Sequence, residues 1–148
     1  MVSNGGPVDD DALLHELRTQ VAYWQKVLYL QDWTIEVRLL RQWEMSDRQT
    51  LAQCEWYLQR KDAILGFLSP QDIVGLHNRF LNGEEADYDI SLVHELLHLH
   101  FAPFHKEDDE LFHEQAINAI SRGMVKVWRE SHKGVELSIP PVISEGYL

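Results

Sequence analysis

The chemically informative stretch of this chain is Leu92-Val93-His94-Glu95-Leu96-Leu97-His98. Two histidines four apart on a helix project from one face on successive turns, so their imidazoles converge on a single metal ion. Zinc is the natural guest of such a pair. Glu95 sits about a third of a turn away, near enough to take a proton from metal-bound water without being a ligand itself. Chance placement of 8 His and 13 Glu over 148 residues yields roughly 0.04 copies of this pattern. Burying His94, Glu95 and His98 in an apolar helix would cost several kcal/mol if their polar groups stayed unpaired, and a bound dication supplies the partner. The competing interpretation is a set of hydrogen-bonded core histidines.

A catalytic zinc takes three protein ligands and keeps one position for water. One known solution places a histidine six residues after the second His, preceded by a glycine. Here those positions hold Phe104 and Phe101, and His105 falls one place late. The other common solution is a glutamate on the next helix, where Glu110 and Glu114 both qualify by type. Glu114 is in helical register with Ile117, Ser121, Met124 and Trp128, the stripe expected to face the core, and has Leu111 one turn before it. Glu110 lies on the same stripe but at the helix start, beside Lys106-Glu107-Asp108-Asp109. Glu114 is therefore preferred, with Glu110 and His113 as alternatives. Asn118, one turn further on, either reaches an outer nitrogen of His94 and holds its tautomer or faces water.

The surrounding pattern supplies elements to hold these residues. Leu13, Leu14, Leu17, Val21, Trp24 and Leu28 recur at three- and four-residue steps behind Asp9, Asp10 and Asp11, which predicts an amphipathic N-terminal helix of about five turns. Residues 32–40 alternate as a strand, and residues 51–68 read as a hairpin with a polar turn at Arg60-Lys61-Asp62 and a return strand at 63–68. Ser69-Pro70 opens a short helix predicted to run to about Phe80, and Asn82 to Asp87 is a loop. Residues 90–101 are apolar on nearly every side, as in a buried helix stopped by Pro103. A last helix is predicted over 110–128. The expected class is α+β, with a small three- or four-stranded sheet. Residues 1–8 are expected to be a disordered leader, 9–133 a single domain and 134–148 an extended C-terminal tail.

Bulk properties narrow the function. With 148 residues there is room for one ordinary domain, and 45% hydrophobic residues suffice for a core. The net charge of -11 repels phosphate backbones and anionic lipid, so neither nucleic acid nor a membrane is an expected partner. A single Cys54 inside a strand pattern reads as a buried thiol that needs no oxidising compartment, and no signal peptide is visible. A cytoplasmic location is expected. The five tryptophans fit core or interface positions, and His15, His77 and His132 read as isolated and exposed. The Glu84-Glu85 pair and residues 107–110 read as solvated loop charge.

His94-Glu95-x-x-His98 followed by Glu114-x-x-x-Asn118 on the next helix resembles the gluzincin arrangement of zinc metallopeptidases. The small size, the helix and short sheet ahead of the motif, and the string Glu114-Gln115-Ala116-Ile117-Asn118-Ala119 are similar to compact zincins of phages and mobile elements, including the ImmA/IrrE type. The resemblance covers about residues 30–128, and only the two helical motifs are specific. Glu114 follows His98 after a short gap, and Asn118 stands where the thermolysin-like pattern has aspartate. The resemblance implies a zinc-dependent metallopeptidase acting on a peptide or protein substrate. His94, His98 and Glu114 would be the metal ligands and Glu95 the general base. It further implies that the strand at 63–68 forms the sheet edge along the cleft and pairs with an extended peptide. His100, His105, Tyr88 and Tyr147 are the available oxyanion donors. The alternative is a non-catalytic, zinc-stabilised binding or regulatory module of phage origin whose fourth metal position is closed by His105 or His113.

Overall fold

The computed structural model describes residues 9–46, 50–73 and 87–133. The leader, most of the helix predicted from Ser69, the Asn82–Asp87 loop up to residue 86, and the tail lie outside them. Helix α1 spans Asp10–Val27; the Asp9 carboxylate accepts the Asp11 amide at 3.0 Å as its N-cap, and Leu17, Val21 and Trp24 form its buried stripe. Gln25 closes the end of the helix by donating to the Leu30 and Trp33 carbonyls at 2.9 and 2.7 Å. This bond pair aims the chain into strand β1, Thr34–Leu40.

Strands β2 (Ala52–Tyr57) and β3 (Asp62–Leu68) form the expected antiparallel hairpin, with Lys61 at φ 54° in its turn. The sheet order is β1-β3-β2, with β1 parallel to β3. This corrects the expectation that residues 63–68 are an edge. They form the central strand, and β2 is the edge on its far side. The physical reason is legible in composition: Ala63, Leu65, Gly66, Phe67 and Leu68 are buried almost without alternation, as a strand covered on both faces must be. Strand β2 instead alternates, with Glu55 and Tyr57 turned to solvent.

The helix predicted from Ser69 begins as a single tight turn at Pro70–Asp72, capped by the Ser69 hydroxyl. Helix α2, Tyr88–Phe101, is capped by the Asp87 carboxylate, which accepts the Asp89 and Ile90 amides. After two short turns at Ala102–Phe104 and Glu107–Asp109, helix α3 runs from Glu110 to Ser131. Helix α1 packs beside β1, α2 beside β2, and α3 lies against α2. The core is continuous through Leu17, Trp24, Leu65, Phe67, Leu92, Leu96, Ile117 and Val125. No helix among the described residues is long and apolar enough to cross a membrane.

The α2–α3 pair is antiparallel, as two cross-contacts show. Near one end Phe101 faces His113, with ring centroids 5.2 Å apart; at the other, Arg129 bonds Asp89 at 3.2 Å and Asp87 at 3.0 Å. Residues 110–112 therefore project beyond the last turn of α2. This corrects the expectation for Leu111, which is 64% exposed; the buried stripe of α3 begins at Ile117.

Asp89 is 1% exposed, and its Oδ1 finds no partner among the described residues. Burial, reinforced by the neighbouring Asp87 charge and only partly offset by Arg129, pushes its carboxyl up to about 7. Between roughly pH 4 and 7 the native state holds a proton there that the unfolded chain has released. The contribution of this group to stability is fully present at the acid end and lost as pH rises to 7. Asp89→Asn removes that slope. Denaturant midpoints at pH 5.5 and 8 should fall with pH in the native sequence and differ less in the variant, and equal slopes would contradict the assignment.

Candidate metal centre

Helix α2 is apolar around most of its circumference, so it can be placed only by burying it between β2 and α3. That placement turns His94 and His98 toward α3, with ring centroids 5.1 Å apart. Glu114 reaches across from α3: Oε1 lies 2.8 Å from His98 Nε2 and Oε2 3.3 Å from His94 Nε2. The three ligand atoms all fall within 4.8 Å of one another, and this is the group among the described residues that can hold a metal ion. Donors about 2 Å from a tetrahedral zinc sit roughly 3.3 Å apart, so the observed N to O distances suit such a cation with little rearrangement.

Electrostatics of the cluster follow from the geometry. Hydrogen bonds from His94 and His98 hold the Glu114 carboxyl far below the usual carboxylate range. For His94, burial disfavours the charged ring, but the hydrogen bond to Glu114 and the charge of Glu95 outweigh it and raise its pKa. Asn118 also hydrogen-bonds His94 and favours the protonated ring. Asn118 is nevertheless an exposed residue, so its contact with the ligand leaves it facing water as well. Glu95 is 9% exposed, with Oε2 3.9 Å from His94 Nε2. Burial pushes its carboxyl up to about 7 against the pull of both histidines.

The alternatives for the third ligand are outside that group but close by. His113, against the Phe101 ring, and the exposed Glu110 both line a small pocket of about 30 Å³ shared with Trp56, His98 and His105. Of the four oxyanion candidates, His105 alone among the described residues stands beside the cluster, edge-on to Trp56 at 5.6 Å. His100 instead bonds the Leu28 carbonyl at 2.7 Å, and the Tyr88 hydroxyl donates to the Leu68 carbonyl in the core. Tyr147 and His77 lie outside the described residues. His132, expected to be isolated, stacks on Trp128 with centroids 3.9 Å apart.

Trp56 is the residue that the spacing argument undervalued. Its indole stacks on the His98 imidazole at 6.0 Å and 16°, forming the β2 wall of the site. Two residues earlier on the same strand face, Cys54 feels the Glu95 charge; burial and then that charge push its thiol pKa up. The signal was present in the alternation Ala52, Cys54, Trp56, which puts all three on one side of β2. What the alternation does not tell is that α2 presents its polar face there. Trp43, read with the other tryptophans as core or interface, is 82% exposed and so is not in the core.

Comparison of the chain with protein-family models, with curated proteins and with solved structures finds no match.

The geometry sets two expectations for metal titration. Glu114→Ala or His98→Ala should lower calorimetric affinity for Zn²⁺ at least 100-fold, while Asn118→Ala should cost about 10–100-fold. Co²⁺ bound beside His98 should quench Trp56 emission, and Trp56→Phe should remove most of that quenching. Undiminished affinity in Glu114→Ala would place the ion elsewhere.

Proposed function

We propose that this protein is a zinc-dependent metallopeptidase of compact zincin type, hydrolysing peptide bonds with Glu95 as general base. The observation that carries this reading is the position of Glu95. It is a buried carboxyl with its affinity for protons tuned near neutrality, beside three metal-capable side chains rather than among them. The resemblance of the two helical motifs to gluzincins supports the same conclusion.

Zinc held by His94, His98 and Glu114 would polarise the substrate carbonyl and bring the pKa of a coordinated water toward about 7. Glu95 accepts the water proton and returns it to the departing amine, a two-way task that suits a group near 7 at neutral pH. Asn118 holds the His94 ring, and the Trp56 indole fixes His98 by stacking. His105 stands near enough to the cluster to be the candidate donor to a developing oxyanion. The substrate is an extended peptide or unfolded protein segment. Among the described residues β2 is an outer strand, and it would offer the hydrogen-bonding edge that the resemblance implies for residues 63–68.

A zinc-stabilised binding module would need a closed fourth position. Neither His113 nor His105 belongs to the group of side chains whose ligand atoms lie within 4.8 Å of one another, and this supports the enzyme.

Glu95→Gln separates the two readings. It should retain Zn²⁺ while hydrolysis of a fluorescent unfolded casein substrate falls by about 10²–10⁴-fold. In the native sequence kcat/KM should fall toward acid pH, because the base works only when deprotonated. Unchanged turnover in the Gln variant would remove Glu95 from the mechanism.

A further inference from the structure

The far half of α3 carries charge of the opposite sign to the chain as a whole. The sequence holds 13 cationic and 24 acidic residues, yet Arg122, Lys126, Arg129 and Lys133 follow one another at steps of four, three and four, along one face of the helix and the turn after it. A helix's own field favours cations in its last turn, which accounts for Arg129 and not for Arg122 or Lys126, further up. All four are exposed, and they rim a pocket of about 270 Å³. Its floor is apolar, made of Val125 from α3, 1% exposed, and the half-buried Ile90 from α2. Arg129 is drawn to Asp87 and Asp89, so it walls the pocket without adding net charge. Arg122, Lys126 and Lys133 still outnumber Glu130, the acidic residue on the rim. Among the described residues no carboxylate pairs with Lys126 or Lys133.

We propose that this pocket docks a short acidic segment of a partner protein. One aliphatic side chain of the segment enters between Ile90 and Val125, and carboxylates on either side of it meet Arg122, Lys126 and Lys133. Charge complementarity selects an anionic occupant, and the floor selects one with an apolar anchor, which a free phosphate lacks. Length selects a peptide. From Arg122 to Lys133 the stripe runs about 16 Å, the span of about five extended residues. A nucleic-acid strand or an anionic bilayer would reach past it onto the rest of a molecule whose net charge of -11 repels both. The pocket stands on α3 beyond Glu114, and its binding does not depend on the metal chemistry proposed above.

Fluorescence anisotropy of a labelled Asp-Glu-Leu-Glu-Asp peptide with the full chain at low ionic strength tests this. Replacing the leucine of the peptide by serine should weaken binding about 10-fold, through loss of the buried apolar side chain. The Lys126→Glu/Lys133→Glu variant should weaken it about 10-fold or more, and added salt should weaken it further in the native chain. Lys106→Glu, ahead of the first turn of α3, should bind as the native sequence does. Absence of binding, an equal loss in Lys106→Glu, or indifference to the leucine overturns the proposal. So does tighter binding of duplex DNA, or of vesicles of equal parts phosphatidylserine and phosphatidylcholine, than of the peptide. Binding that appears only after Glu84→Gln and Glu85→Gln overturns it too, because the chain's own carboxylates would then be the occupant.

Discussion

The grip of one carboxylate on two imidazoles across a helix pair is the constraint on which the rest of the site depends. Glu114 touches both His94 and His98, and these contacts require α2 and α3 to lie antiparallel in a single register. A helix-turn shift of either element would exchange Glu114 for Glu110 or Asn118 and break the set. The Phe101–His113 contact and the Arg129 bonds to Asp87 and Asp89 hold that register from the two ends. Between them, Ile117, Ser121 and Val125 fill the space with small and branched side chains that let the helices approach.

Much of this arrangement could be read from residue types alone. Helical periodicity placed α1, α2 and α3, and the spacing of His94, Glu95, His98 and Glu114 predicted their convergence. These are local properties, set by 3.6 residues per turn. The order of the strands was not read correctly, because alternation describes a strand's faces and leaves its neighbours open. The nearly continuous burial of residues 63–68, broken only by the half-buried Ile64, nevertheless distinguishes a central strand from the alternating β2. Leu111 was misjudged for a related reason. Its helical phase is that of the core stripe, but the partner helix ends before reaching it.

The sheet contributes to the site through two side chains on one face of one strand. Trp56 stacks on His98, and Cys54 lies close enough to Glu95 to feel its charge. It is burial that raises the proton affinity of Glu95 above that of an ordinary glutamate. The positions of Trp56 and Cys54 rest on contacts far apart in the chain, which no spacing within either segment encodes.

The division between local and distant contacts bears on the order in which capabilities arise as the polypeptide folds. His94, His98 and Glu114 lie within 21 consecutive residues, and closing so short a loop is entropically cheap. A helical hairpin formed before the strands associate already gathers all the chelating atoms. The elevated proton affinity of Glu95 needs the later, slower pairing of β2 with β3 and the docking of both on α2. Holding a cation at these three side chains would thus need only the two helices, whereas the raised proton affinity of Glu95 also needs its burial in the assembled fold.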